Sequence, residues 1–253
     1  MMSGIKVAMR SLCVPLLWMA ACTACSLADE PTPSKRPIEK LFGRIVRDDG
    51  ERIVTLEQPD QQMEDADLKA ISGVTTLETL NLAFCKRITD GGLEHLKELH
   101  ALKRVNLGGC KRVSDAGLRH LSGAAQLDTL NLSVTQVSDA GLKSIGKFSK
   151  LERLDLDNTN VTDDGLAELI PLTELSYLRL ADTAVTDAGM KDLHRLSNLR
   201  TLVLNGTAIS DDAVKHLAEL PHLERLSLVS TSVTEHGHEI LMRARPRLKI
   251  TKP

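Results

Sequence analysis

The chain has 253 residues, of which 42% are hydrophobic and 26% charged, a balance that favours folding over disorder. Its 32 basic residues face 34 acidic ones, a net charge of −2, so it lacks the basic excess of a general nucleic-acid binder. Aromatic residues are only 2%, too few for a base-stacking platform or an aromatic core, so leucine has to supply the packing.

The first element in chain order is an export segment. Residues 11–28 carry no charge; Lys6 and Arg10 precede them, and Asp29 and Glu30 follow. The apolar centre, Leu12 to Ala21, is about ten residues long, half of what a bilayer span needs. It has the size of the hydrophobic part of a secretory signal. Ser26-Leu27-Ala28 places small residues where a signal peptidase needs them, so residues 1–28 read as a signal peptide. A second route competes. Met19-Ala20-Ala21-Cys22 and Cys22-Thr23-Ala24-Cys25 are loose versions of the bacterial lipidation motif, although neither has leucine three places before the cysteine. Cys22 and Cys25 are therefore candidate lipidation residues. An uncleaved anchor is a third possibility. Either cleavage route gives an exported protein: periplasmic, an outer-membrane lipoprotein or extracellular. Membrane contact would come only through an N-terminal lipid. Residues 29–40 hold Pro31, Pro33 and Pro37 among six charges and read as an exposed tether.

The remainder, residues 41–253, is one domain built by repetition. Cutting before each LxxLxL gives units beginning at Leu77, Leu102, Leu127, Leu151, Leu175, Leu199 and Leu223, at steps of 25, 25, 24, 24, 24 and 24 residues. A degraded unit begins near Ile53, so about eight units fill residues 53–247. In each, the three leucines point inward from a short strand and the residues between them line its open face. The chain then turns at a small residue: Cys85, Cys110, Thr135, Thr159, Thr183, Thr207 or Thr231. An apolar residue follows, then Ser or Thr, then Asp, as in Thr89-Asp90 and Ser138-Asp139. The hydroxyl is a helix N-cap, and the Asp sits in the positive first turn. A short helix carries apolar residues three apart, as in Leu93-Leu96-Leu99. No unit can bury that stripe alone, so the units stack into a solenoid with strands on the concave side and helices on the convex side.

The recurring form, LxxLxLxxC/TxxI/VTDxGLxxL, resembles leucine-rich repeats of the cysteine-containing type found in F-box proteins, and similar 24-residue versions in bacterial secreted and lipid-anchored proteins. The resemblance covers about 195 residues. It implies an α/β right-handed superhelix, a horseshoe of parallel strands and helices, and a protein-binding role. No F-box precedes the repeats. At the ends, Leu41 to Val46 should cover the first leucine layer, while Arg243, Arg245, Pro246 and Arg247 replace a leucine stripe and read as a C-terminal cap.

The open strand positions form columns. Arg153, Tyr177, Arg179 and Arg225 cluster near Asp155, Asp157 and Asp182, and Tyr177 is the only tyrosine. Aromatic and arginine anchors of this kind carry protein interfaces, so these seven residues are the candidate partner site. The Asn81, Asn106 and Asn131 column is expected to hydrogen-bond between strands or to recognise a polar ligand. Catalysis by Asp155, Asp157 and Asp182 would need enclosure to raise a pKa, which an open sheet should not supply. No HExxH and no phosphate-binding glycine loop occur, so neither a metal nor another cofactor is expected. Cys85 and Cys110 hold one turn position in adjacent units and are buried thiols or, in an oxidising compartment, a disulfide. The reading is a non-catalytic protein-interaction scaffold of the envelope or secreted space. Its alternatives are a structural or ligand-sensing envelope component, or an enzyme using the acidic cluster.

Overall fold

The computed structural model describes residues 38–58 and 61–252. The signal peptide, Cys22 and Cys25, and the tether up to residue 37 lie outside the described residues. A helical turn, α1 (Ile38–Leu41), takes up the last three tether residues and seats Leu41 in the core.

Ten strands form one sheet in chain order. They are β1 (Arg44–Arg47), β2 (Ile53–Glu57), β3 (Thr79–Asn81), β4 (Arg104–Asn106), β5 (Thr129–Asn131), β6 (Arg153–Asp155), β7 (Tyr177–Arg179), β8 (Thr201–Val203), β9 (Arg225–Ser227) and β10 (Lys249–Thr251). From β2 onward every pairing is parallel and in register with the repeat: Leu56, Leu80, Val105, Leu130, Leu154, Leu178, Leu202, Leu226 and Ile250 are successive partners. The exception to an all-parallel sheet is β1, which pairs antiparallel with β2. Parallel neighbours need a long crossover, whereas a hairpin needs only a turn. Here Asp48 supplies it, its carboxylate accepting the N–H groups of Gly50 and Arg52 at 2.9 and 3.0 Å while Glu51 takes a positive φ of 58°.

The helices lie on the opposite side: α2 (Asp65–Leu68), α3 (Asp90–Leu93), α4 (Asp115–Leu118), α5 (Asp139–Ile145), α6 (Asp163–Leu166), α7 (Asp187–Leu193), α8 (Val214–Ala218) and α9 (Glu235–Ala244). They are too short to be stable alone. Their stability comes from the leucine layers between helix and strand, a single continuous core running from Leu41 and Phe42 to Leu248. Each buried leucine contributes about 1.5–3 kcal/mol of transfer free energy.

The caps do more than the repeat pattern shows. The Ser or Thr oxygen accepts the backbone N–H two residues on, as expected. Its own N–H and hydroxyl also donate to the Asp of the preceding unit. Seven such pairs run along the solenoid: Asp65 with Thr89, Asp90 with Ser114, Asp115 with Ser138, Asp139 with Thr162, Asp163 with Thr186, Asp187 with Ser210 and Asp211 with Thr234. The hydroxyl distances are 2.5–2.7 Å. Each Asp thus carries an inter-unit staple as well as a favourable charge at its own helix start.

At the C-terminal end, the Arg245 guanidinium donates to the carbonyls of Leu220, Pro221 and Leu223. These are carbonyls of the turn that follows α8. One charged side chain here satisfies backbone that a further unit would otherwise cover.

Candidate functional site

The candidate residues come from equivalent positions of neighbouring strands, so the parallel register decides which of them meet. Arg153, Tyr177, Thr201 and Arg225 form one row across β6 to β9. Asp155, Arg179, Val203 and Ser227 form the next. Arg153 lays its guanidinium over the Tyr177 ring, 4.0 Å from the centroid, a contact worth about 0.5–1 kcal/mol at an exposed site. Arg225 reaches back to Thr201, its Nε donating to Oγ1 at 3.1 Å, and Thr201 is buried on what is otherwise the open face. Val203 beside it is buried too. The result is a low ridge of Arg153, Tyr177 and Arg225 above a desolvated floor at β8.

Arg179 has a different role. Its Nε donates to Asp157 Oδ2 at 2.6 Å, its Nη2 reaches the same oxygen, and Asp155 Oδ2 lies 3.5 Å away. The other oxygen of Asp157 accepts the Ala181 N–H at 2.8 Å. The Asp157 carboxylate is thereby fully committed to holding adjacent units together. Asp155 Oδ1 accepts the Asp157 N–H at 3.1 Å. Burial pushes the Asp155 carboxyl above its ordinary pKa, and the Asp157 charge adds to this. The expectation that an open sheet supplies no such enclosure is therefore corrected at this residue: its side chain is only 23% exposed. A groove of about 160 Å³ runs between β5 and β7, lined by Thr129, Asn131, Arg153, Asp155 and Tyr177.

Asp182 does not join the cluster. It sits in the turn after β7 with φ of 54°, in a row of left-handed residues that recurs at Phe84, Gly109, Val134, Asn158, Gly206 and Ser230. The left-handed step carries the chain off the strand face, and Asp182 lines a separate groove with Lys111, Gln136 and Asn158. The asparagine column also behaves differently from expectation. Asn81, Asn106 and Asn131 each accept the N–H two residues further along their own unit, at 2.8–3.1 Å, rather than pairing through these oxygens across strands. They close the turn from strand to helix.

Thr135, Thr159, Thr183 and Thr207 donate to the carbonyl three residues back, the turn role expected of them. Cys85 and Cys110 fill the same position as buried thiols, and Cys110 bonds to the Leu82 carbonyl at 3.1 Å. Burial, with the neighbouring Cys85, pushes the Cys110 thiol up to about 12.

These features define a leucine-rich repeat solenoid with a ridge of arginine and tyrosine on its strand face. The family model described as "Leucine-rich repeat region" matches residues 83–248, and the chain belongs to that family. No curated protein matches the chain. Among solved structures it is similar to internalin C2 from Listeria monocytogenes, with a TM-score of 0.65 and 28% identity over 79% of this chain and 81% of that one. Internalin F of the same organism gives a TM-score of 0.60 and 20% identity, over 78% of this chain and 60% of that one. A leucine-rich repeat protein of Leptospira interrogans gives 0.56 and 21%, over 72% and 44%. The last two likenesses concern the fold. A cysteine at the turn occurs in only two of the seven units; Thr fills the other five.

Proposed function

We propose that the chain is a non-catalytic interaction scaffold of the cell envelope or secreted space, and that a protein partner docks on the concave strand face over Arg153, Tyr177 and Arg225. The observation that carries this reading is the arginine–tyrosine ridge above buried Thr201 and Val203. Arginine and aromatic side chains at the centre of a desolvated patch are the usual anchors of an interface. Solenoid strand faces are the extended surfaces such proteins use. Arg179 and Asp155 form the row beside that ridge, and Arg179 is held there by Asp157. The commitment of Asp157 to Arg179 and to the Ala181 N–H also argues against the enzymatic alternative, because a committed carboxylate is a poor nucleophile or base. Export rests on the sequence of residues 1–28. The mature chain would start at Asp29 or at a lipidated Cys22 or Cys25, a difference its N-terminal mass reads directly.

The test is capture from the native envelope, followed by titration of the purified partner. Arg153→Glu with Arg225→Glu should weaken binding by about thirtyfold, the scale of one lost hot spot. Saturable binding unchanged by this double variant would refute the assigned face. A protein that takes no saturating partner would favour the structural alternative.

A further inference from the structure

The two 25-residue units differ from the 24-residue units at one place. Between the turn residue and the helix cap, the unit at Leu77 has Lys86, Arg87 and Ile88, and the unit at Leu102 has Lys111, Arg112 and Val113. Later units have two residues there, and the first of them is neutral: Gln136, Asn160, Ala184, Ala208 or Ser232. The inserted residue thus turns a neutral edge into a doubled Lys-Arg pair. Insertions in repeat proteins map to loops on one face, often the binding face.

The two insertions lie side by side. Isolated parallel bridges join Glu64 to Arg87 and Thr89 to Arg112, which places the two turns about one strand spacing, ~5 Å, apart. All four basic side chains are exposed. Arg87 has an ion-pair partner in Glu64 at 3.6 Å; among the described residues Lys86, Lys111 and Arg112 have no carboxylate within ion-pair distance. Phe84 stands in the same turn with φ of 62° and 52% exposure, the more exposed of the two large hydrophobic side chains found on the surface among the described residues. Its ring lies against Gly109, where an added Cβ would fall 2.4 Å from Cδ1. A side chain on residue 109 would collide with the ring, so the glycine at this left-handed position leaves room for Phe84, which stays half exposed.

We propose that this edge is a second docking surface, distinct from the strand face, for an acidic, extended protein segment that stacks one apolar side chain on Phe84. The charge decides the sign of the partner in a chain whose net charge is −2. The width decides its shape. The basic region is two turns across and ends at neutral Gln136, enough for a single strand and too narrow for a membrane plane.

The probe is a short synthetic peptide of glutamates around a central phenylalanine, labelled and titrated with the mature protein, with a lysine version as control. Binding should weaken with salt. It should fall at least about tenfold when Lys86, Arg87, Lys111 and Arg112 are all replaced by alanine. Phe84→Asn, which keeps the left-handed turn, should weaken it while preserving the salt dependence. Circular dichroism and thermal melting confirm that these variants fold. Arg153→Glu with Arg225→Glu should bind the peptide as the parent does, so this surface and the strand face fail or succeed separately. Four results would overturn the proposal: no binding of the acidic peptide, equal binding by the fourfold variant, equal binding of the lysine peptide, or charge-dependent binding only to vesicles containing phosphatidylglycerol.

Discussion

Consecutive units approach closely at a glycine in the first turn of the helix. A Cβ on Gly92, Gly117, Gly141, Gly165, Gly189 or Gly237 would stand 2.1–2.5 Å from the Oδ1 of the preceding unit's stapling Asp. Gly141→Ala therefore pushes on Asp115 and loosens the two hydrogen bonds that Ser138 donates to it. Alanine gains about 1 kcal/mol of helix propensity over glycine, and the lost charge-assisted bonds outweigh it. The expected net cost is about 1–2 kcal/mol by urea unfolding. Ala213 shows how a unit accommodates the methyl group: its helix opens with a 3-10 turn, Asp211–Ala213. Gly73→Ala is the control, since nothing lies within 4 Å of the added carbon, and it should be neutral or stabilise by up to about 1 kcal/mol. Equal stability of the two variants would contradict the close approach. The Ser/Thr-Asp pair was legible in the sequence as a cap. Its second role was not, because donor and acceptor belong to different units and their separation merely repeats the period. Asp182 was misplaced for a related reason: residue order counts it next to the strand, while a positive φ turns it away.

At the level of elements, α9 depends on the last staple in the series. Asp211 accepts the Thr234 hydroxyl at 2.6 Å and the Thr234 N–H at 2.8 Å, and these bonds, the hydroxyl first, hold its carboxyl below the ordinary range. A carboxyl whose pKa is lower folded than unfolded contributes stability above its unfolded value, about 3.9. That contribution is lost as pH falls through the lower folded value. Hydrogen exchange at the start of α9 should therefore quicken as pH drops from about 5 towards 2, after correction for the intrinsic exchange rate. Glu235 in the first turn is also held low, by Lys252, so Asp211→Asn should remove part of the acid response and not all of it. An unchanged acid profile in this variant would show that the staple does not fasten the helix. Helix starts of this kind were readable from Ser, Thr and Asp. The strand face was readable only in outline, since columns of residue names do not show that Arg179 is bound to Asp157 while Arg153 lies on Tyr177.

The period itself was the most legible feature, because a leucine at a fixed step has one explanation, a shared interior. From β2 onward each strand pairs in parallel with its chain neighbours, and each helix packs on its neighbours by the same Asp-to-cap link, so stability should be nearly a sum over adjacent units. That makes whole units removable. Deleting residues 151–174 brings Leu175 into the place of Leu151, lets Asp139 staple Thr186 in place of Thr162, and sets β7 against β5. The shortened protein should still unfold in one cooperative step. Its urea m-value should fall roughly with the surface removed, and its melting temperature should drop. Deleting only residues 151–162 removes a strand but leaves its helix, puts leucines out of register, and should abolish cooperative unfolding. The unit deletion also separates the two surfaces. It removes Arg153 and the contact with Tyr177, so partner capture on the strand face should fail, while the acidic peptide should still bind beside Phe84. Cooperative folding of the half-unit deletion, or collapse of the whole-unit one, would mean that the segments are not interchangeable layers of one core.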